Sequence, residues 1–105
     1  MIGVNREGEV WVFAEQHYGQ LEDTPLELMS KARQLADVLG TKLAALLLGD
    51  NVKGLAAKLI SYGADKVYVA EHRLLAVYQS NSYAKVIYDL IHKYEPQIVL
   101  YGATI

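Results

Sequence analysis

The chain has 105 residues, a net charge of −2, 52% hydrophobic residues and no cysteine. This length supports one domain, the lack of cysteine excludes disulfides and thiolate metal sites, and the scattered lysines and arginines exclude a polybasic nucleic-acid surface. The chain has no apolar run of about 18 residues and no apolar leader. We therefore expect no membrane insertion and a cytoplasmic protein, or the mature form of a mitochondrial one.

The first predicted elements are a buried strand and a helix. The stretch EVWVFAE (Glu9 to Glu15) is apolar nearly throughout, which is typical of a strand covered on both faces. After a polar loop, TPLE predicts a helix start in which Thr24 and Glu27 cap each other and Pro25 is the first helical residue. Gly40 is expected to end this helix. Its predicted inward residues are Leu28, Ala32, Leu35, Ala36 and Leu39.

The next elements repeat this alternation. KLAALLLG (Lys42 to Gly49) predicts a second buried strand, and KVYVAE (Lys66 to Glu71) predicts a third. Between them, Asp50 or Asn51 is expected to cap a helix from Val52 to Tyr62. The predicted inward residues of this helix are Leu55, Leu59 and Ile60.

A third helix follows a turn at residues 72–79. It is expected to begin at Ser80 or Ser82, and Pro96 prevents its continuation and favours extended backbone at Glu95. Its predicted inward residues are Tyr83, Val86, Ile87, Leu90, Ile91 and Tyr94.

The last apolar segment, Gln97 to Tyr101, predicts a fourth strand. The resulting β-α-β-α-β-α-β order requires parallel strands with right-handed crossovers, which is an open doubly wound parallel α/β sheet. In the nucleotide-binding version of this fold the strand order is 3-2-1-4. Because the fourth strand is apolar on both faces, we expect it to be an inner strand that needs cover. We therefore expect one domain over residues 1–105, incomplete at its C-terminus, or a domain whose last strand is covered by a partner chain.

The predicted ligand crevice lies between the carboxyl ends of the first and fourth strands. After the first strand, Glu15 is either a structural cap or a contact to a ligand hydroxyl, and His17 is either a proton donor or a solvated loop residue. After the fourth, Gly102, Ala103 and Thr104 are small enough for the backbone to approach an anion. The sequence has no nucleophile–base pair, glycine-rich phosphate motif or metal-ligand spacing, so it indicates neither a catalytic nor a metal site.

Aromatic residues are a second feature, with eight tyrosines and one tryptophan in the chain. Tyr83, Tyr88 and Tyr94 occupy the third predicted helix, and Tyr68 and Tyr101 occupy strands. Three interpretations stay open: a stacking platform for a flavin or a base, a core edge with hydroxyls at the surface, or a subunit interface.

Five stretches in order resemble the N-terminal part of the electron transfer flavoprotein alpha subunit: VWVFAEQHYGQL, LELMSKARQLADVLG, LLLG, YGADKVYVAE and YEPQIVLYGAT. The resemblance implies a Rossmann-like domain, of the adenine nucleotide alpha hydrolase-like kind. It also implies an electron carrier rather than an enzyme, in which this piece is a scaffold and subunit-docking domain. The implied partners are the beta subunit, in a heterodimer, and flavin dehydrogenases.

The resemblance also implies where the cofactor lies. FAD would be held mainly by a C-terminal domain beyond these residues, so we expect no cofactor on this piece alone. Only Gly102, Ala103 and Thr104 match a family segment at a loop near a nucleotide or flavin, and in the family a glycine-arginine-aspartate-leucine segment follows. The alternative is a small nucleotide-binding module of the universal-stress-protein type, which shares the fold and carries a glycine-rich loop after the fourth strand.

Overall fold

A computed structural model of the chain describes residues 7–17, 19–75 and 80–101. The elements in chain order are β1 (Val10–Phe13), β2 (Gln16–His17), β3 (Gln20–Leu21), α1 (Asp23–Leu39), β4 (Leu43–Gly49), α2 (Ala56–Ser61), β5 (Lys66–Glu71), α3 (Ser80–Tyr94) and β6 (Ile98–Leu100). Short 3-10 turns at Lys53–Leu55 and Arg73–Leu75 precede α2 and follow β5.

The principal sheet is parallel, with the strand order β5-β4-β1-β6. Its four strands are the four that the sequence predicts, and their order is the predicted 3-2-1-4. β1 lies inside this sheet, where Val10 pairs with Leu43 on one side and with Ile98 on the other. A separate antiparallel hairpin of β2 and β3 follows β1 and was not predicted. Gly19 supplies the positive φ of its turn, at 83°.

Helices cover both faces of the sheet, which explains why β1 and β4 are apolar throughout. On one face, residues of α1 and α2 such as Met29 and Leu59 pack against Val12 and other alternate strand residues. On the opposite face, Tyr83 and Ile87 of α3 pack against the remaining strand side chains. Those strand residues are Trp11, Phe13, Ala44, Leu46 and Leu48.

The start of α1 differs from the prediction. The helix begins at Asp23, the N-cap position is Glu22, and no side chain makes a capping hydrogen bond there, so the Thr24–Glu27 cap is wrong. The hairpin sets this start, because the Glu22 N–H donates to the Glu15 carbonyl at 3.0 Å. Pro25 is the third helical residue rather than the first, where its missing N–H also costs no intrahelical bond.

The inward stripe of α1 also differs in part. The residues of α1 that the core buries are Pro25, Leu26, Met29, Ala32 and Ala36. Leu28 and Leu35 are half-buried beside them, as predicted. Leu39, the last residue of the helix before its C-cap Gly40, is 41% exposed, so its inward assignment is wrong.

The second helix is shorter than predicted, because a 3-10 turn at Lys53–Leu55 precedes α2. Neither Asp50 nor Asn51 caps it. Instead, the Glu71 carboxylate at the end of β5 accepts a hydrogen bond from the Val52 N–H at 3.0 Å. Ile60 was assigned inward and is 53% exposed.

Two predictions about the C-terminal part are wrong. Glu95 is not extended: its φ is 49°, and its N–H donates to the Ile91 carbonyl at 2.9 Å, so it continues the hydrogen bonding of α3 in a left-handed conformation. β6 is an edge strand of the described sheet rather than an inner one, and its side chains are half-buried. β1 is the only neighbour that the described residues give it.

Candidate functional site

The carboxyl ends of β1 and β6 border a groove on the α3 side of the sheet. Its volume is about 310 Å³. The residues that line it are Phe13, Tyr83, Ala84, Ile87, Tyr88, Ile91 and Tyr101, and we call it the carboxyl-edge groove. The groove lies near the strand-order reversal at which doubly wound sheets bind ligands, where the sequence predicts a crevice. Neither Glu15 nor His17 is among its lining residues.

Aromatic rings shape this groove. The rings of Phe13 and Tyr83 meet edge to face at a centroid distance of 6.1 Å, and Tyr101 lies 6.0 Å from Phe13 on another side. Tyr88 and Tyr101 remain 59% and 51% exposed at the mouth, where Tyr88 packs against His92 at 4.2 Å. These rings suit contact with an apolar or aromatic surface.

Gln16 anchors the hairpin beside the groove. Its side chain is 1% exposed, and its Nε2 donates to the Leu48 carbonyl at 2.9 Å and to the Tyr83 hydroxyl at 3.3 Å. Its Oε1 accepts a hydrogen bond from the Gly19 N–H at 2.9 Å. One buried amide therefore joins the hairpin turn to β4 and α3. Sequence reasoning missed Gln16, although a polar residue directly after a buried strand was a usable signal.

Tyr83 completes this polar contact. Its ring is 1% exposed, and its hydroxyl donates to the Leu75 carbonyl at 2.6 Å in the turn that follows β5. Gly49 allows the end of β4 to lie close to Gln16 and Val52. A Cβ at position 49 would lie 2.7 Å from Val52 Cγ1 and would also meet the Gln16 amide. The carboxyl edge is thus fixed by side-chain to backbone hydrogen bonds among the hairpin, the strands and α3.

The structure describes some of the predicted site residues and not others. Glu15 is 6% exposed at the base of the hairpin, where its carbonyl accepts the Glu22 N–H. His17 has its backbone in β2, paired with Gln20, and its side chain lies outside the described part. Residues 102–104, the third candidate, also lie outside the described residues. The roles of all these residues stay predictions.

The tyrosines lie in three different surroundings. Tyr83 is a core residue with a buried, hydrogen-bonded hydroxyl. Tyr88 and Tyr101 are exposed at the groove mouth. Tyr68 and Tyr94 lie near the amino end of the sheet, where their ring centroids are 4.7 Å apart.

A charged contact lies at that amino end. Glu9 Oε1 accepts hydrogen bonds from the Tyr68 hydroxyl at 2.7 Å and from Trp11 Nε1 at 3.1 Å, and Oε2 lies 2.5 Å from Lys66 Nζ. Burial raises the pKa of Glu9, but the hydrogen bonds from Lys66, Tyr68 and Trp11 outweigh it, and the pKa lies below its usual value. Burial, together with the Glu9 carboxylate, raises the pKa of Tyr68.

A second carboxylate joins α1 to the strands. Asp65 Oδ2 accepts the Leu43 N–H at 2.8 Å and Arg33 Nη1 at 2.9 Å. The Leu43 N–H, followed by the Arg33 guanidinium, holds the pKa of Asp65 below its usual value. Arg33 also donates to the Gly63 carbonyl at 2.8 Å, so the contact fixes the turn between α2 and β5.

The described residues show neither a metal site nor a membrane-spanning helix. Within residues 7–17, 19–75 and 80–101, no group of three or more His, Cys, Asp or Glu side chains is placed to hold a metal ion. Among the helices described there, none has the length and apolar character needed to cross a membrane.

Comparison with known proteins identifies the family of this chain. A sequence profile of the electron transfer flavoprotein domain matches residues 10–105, so the chain belongs to this family. This confirms the resemblance drawn from the five sequence stretches.

The similar proteins have related names. The chain is 46% identical, over 91% of its length, to the electron transfer flavoprotein subunit alpha of Thermoanaerobacterium thermosaccharolyticum. It is 50% identical, over 90% of its length, to protein FixB of Clostridium saccharobutylicum. It is 45% identical, over 96% of its length, to the acryloyl-CoA reductase electron transfer subunit beta of Anaerotignum propionicum. The chain spans 28% to 29% of the length of these curated relatives.

Proposed function

We propose that the chain forms the N-terminal α/β domain of the alpha subunit of an electron transfer flavoprotein. Such a subunit would be an electron carrier, not an enzyme, and would pass electrons between flavin dehydrogenases and an acceptor. The match of the family profile over residues 10–105 is the observation that carries this proposal. It favours this function over the nucleotide-binding module of the universal-stress-protein type. A cytoplasmic location is part of the same proposal.

Within that protein, this domain would act as a scaffold and docking domain. FAD would be held mainly by a second domain, and the beta subunit would be the docking partner in a heterodimer. The exposed rings of Tyr88 and Tyr101 support a docking role, since tyrosine is enriched at interfaces and these rings flank an apolar groove.

The docking surface can be tested with the beta subunit encoded in the same genome. Tyr88→Asp should weaken binding about tenfold or more, because a charge would replace an exposed ring at the groove mouth. Ile60→Asp is the matched control: Ile60 is exposed to a similar extent, 53% against 59%, but lies in α2 on the opposite face of the sheet. Surface plasmon resonance on both variants measures the affinities.

Three results are informative. A loss confined to Tyr88→Asp supports docking through the carboxyl-edge groove. Equal affinity of Tyr88→Asp and the parent contradicts docking through this groove. A loss confined to Ile60→Asp would move the docking surface to the face covered by α1 and α2.

A further inference from the structure

We draw no further inference here: the strongest candidate, the apolar pocket of about 380 Å³ that Ala70, Leu75 and Val86 line between the end of β5 and the N-terminal half of α3, carries none, because nothing in the part of the chain that the structure describes shows what covers it.

Discussion

Replacement of Gln16 by methionine tests how the carboxyl edge is held together. Methionine matches glutamine in length and removes both polar atoms, so the change deletes hydrogen bonds with little change of volume. The buried bonds lost are those from Nε2 to the Leu48 carbonyl and to the Tyr83 hydroxyl. The bond that Oε1 accepts from the Gly19 N–H is also lost, but Gly19 is exposed and water can replace it.

The expected cost follows from these contacts. A buried hydrogen bond contributes about 1 kcal/mol net, so the two buried bonds predict a loss of about 2 kcal/mol. The Tyr83 hydroxyl retains its 2.6 Å bond to the Leu75 carbonyl, which limits the penalty for an unpaired group. For a domain of this size the melting temperature should fall by roughly 8 °C.

Urea unfolding monitored by circular dichroism measures this loss. Gln20→Met in the same hairpin is the matched control, because Gln20 is exposed and its replacement should change stability by less than about 0.5 kcal/mol. A cost below about 0.5 kcal/mol for Gln16→Met would refute the assignment of Gln16 as the residue that joins the hairpin to the sheet.

Two further predictions concern stability. Gly49→Ala should lower the free energy of unfolding by about 1–3 kcal/mol, because the added Cβ would lie 2.7 Å from Val52 Cγ1. A urea midpoint equal to that of the parent would contradict this prediction. Asp65 has a lowered pKa in the folded state. Its contribution to stability is therefore fully present when the pH is above its pKa in the unfolded chain, and is lost as the pH falls through its pKa in the folded protein. Below about pH 4, the parent should therefore lose more stability than Asp65→Asn, and parallel pH profiles of unfolding free energy would exclude this contribution.

Periodicity and composition predicted the elements that depend on neighbouring residues. β1 and β4 were recognised because continuous apolar runs are typical of strands covered on both faces. The helix after β1 was recognised from its spacing, although its first residue was misplaced by two positions. The parallel order followed from the alternation of strands and helices, and the resemblance in five stretches led to the correct family.

The missed features depend on residues that are distant in the chain. Gln16 and Leu48 are 32 positions apart, and Glu9 and Tyr68 are 59 apart. The cap of the 3-10 turn at Val52 comes from Glu71, in the next strand, rather than from the adjacent Asp50 or Asn51. No local pattern contains such partners.

The sequence by itself determined the class of fold, because burial produces a continuous apolar run in a strand covered on both faces and a helical period in each helix, and both can be read from consecutive residues. Tertiary structure decided which polar side chains meet: Gln16 with β4 and α3, and Glu9 with Tyr68. The physical reason is that a buried polar group is stable only when another part of the folded chain supplies its hydrogen-bond partner.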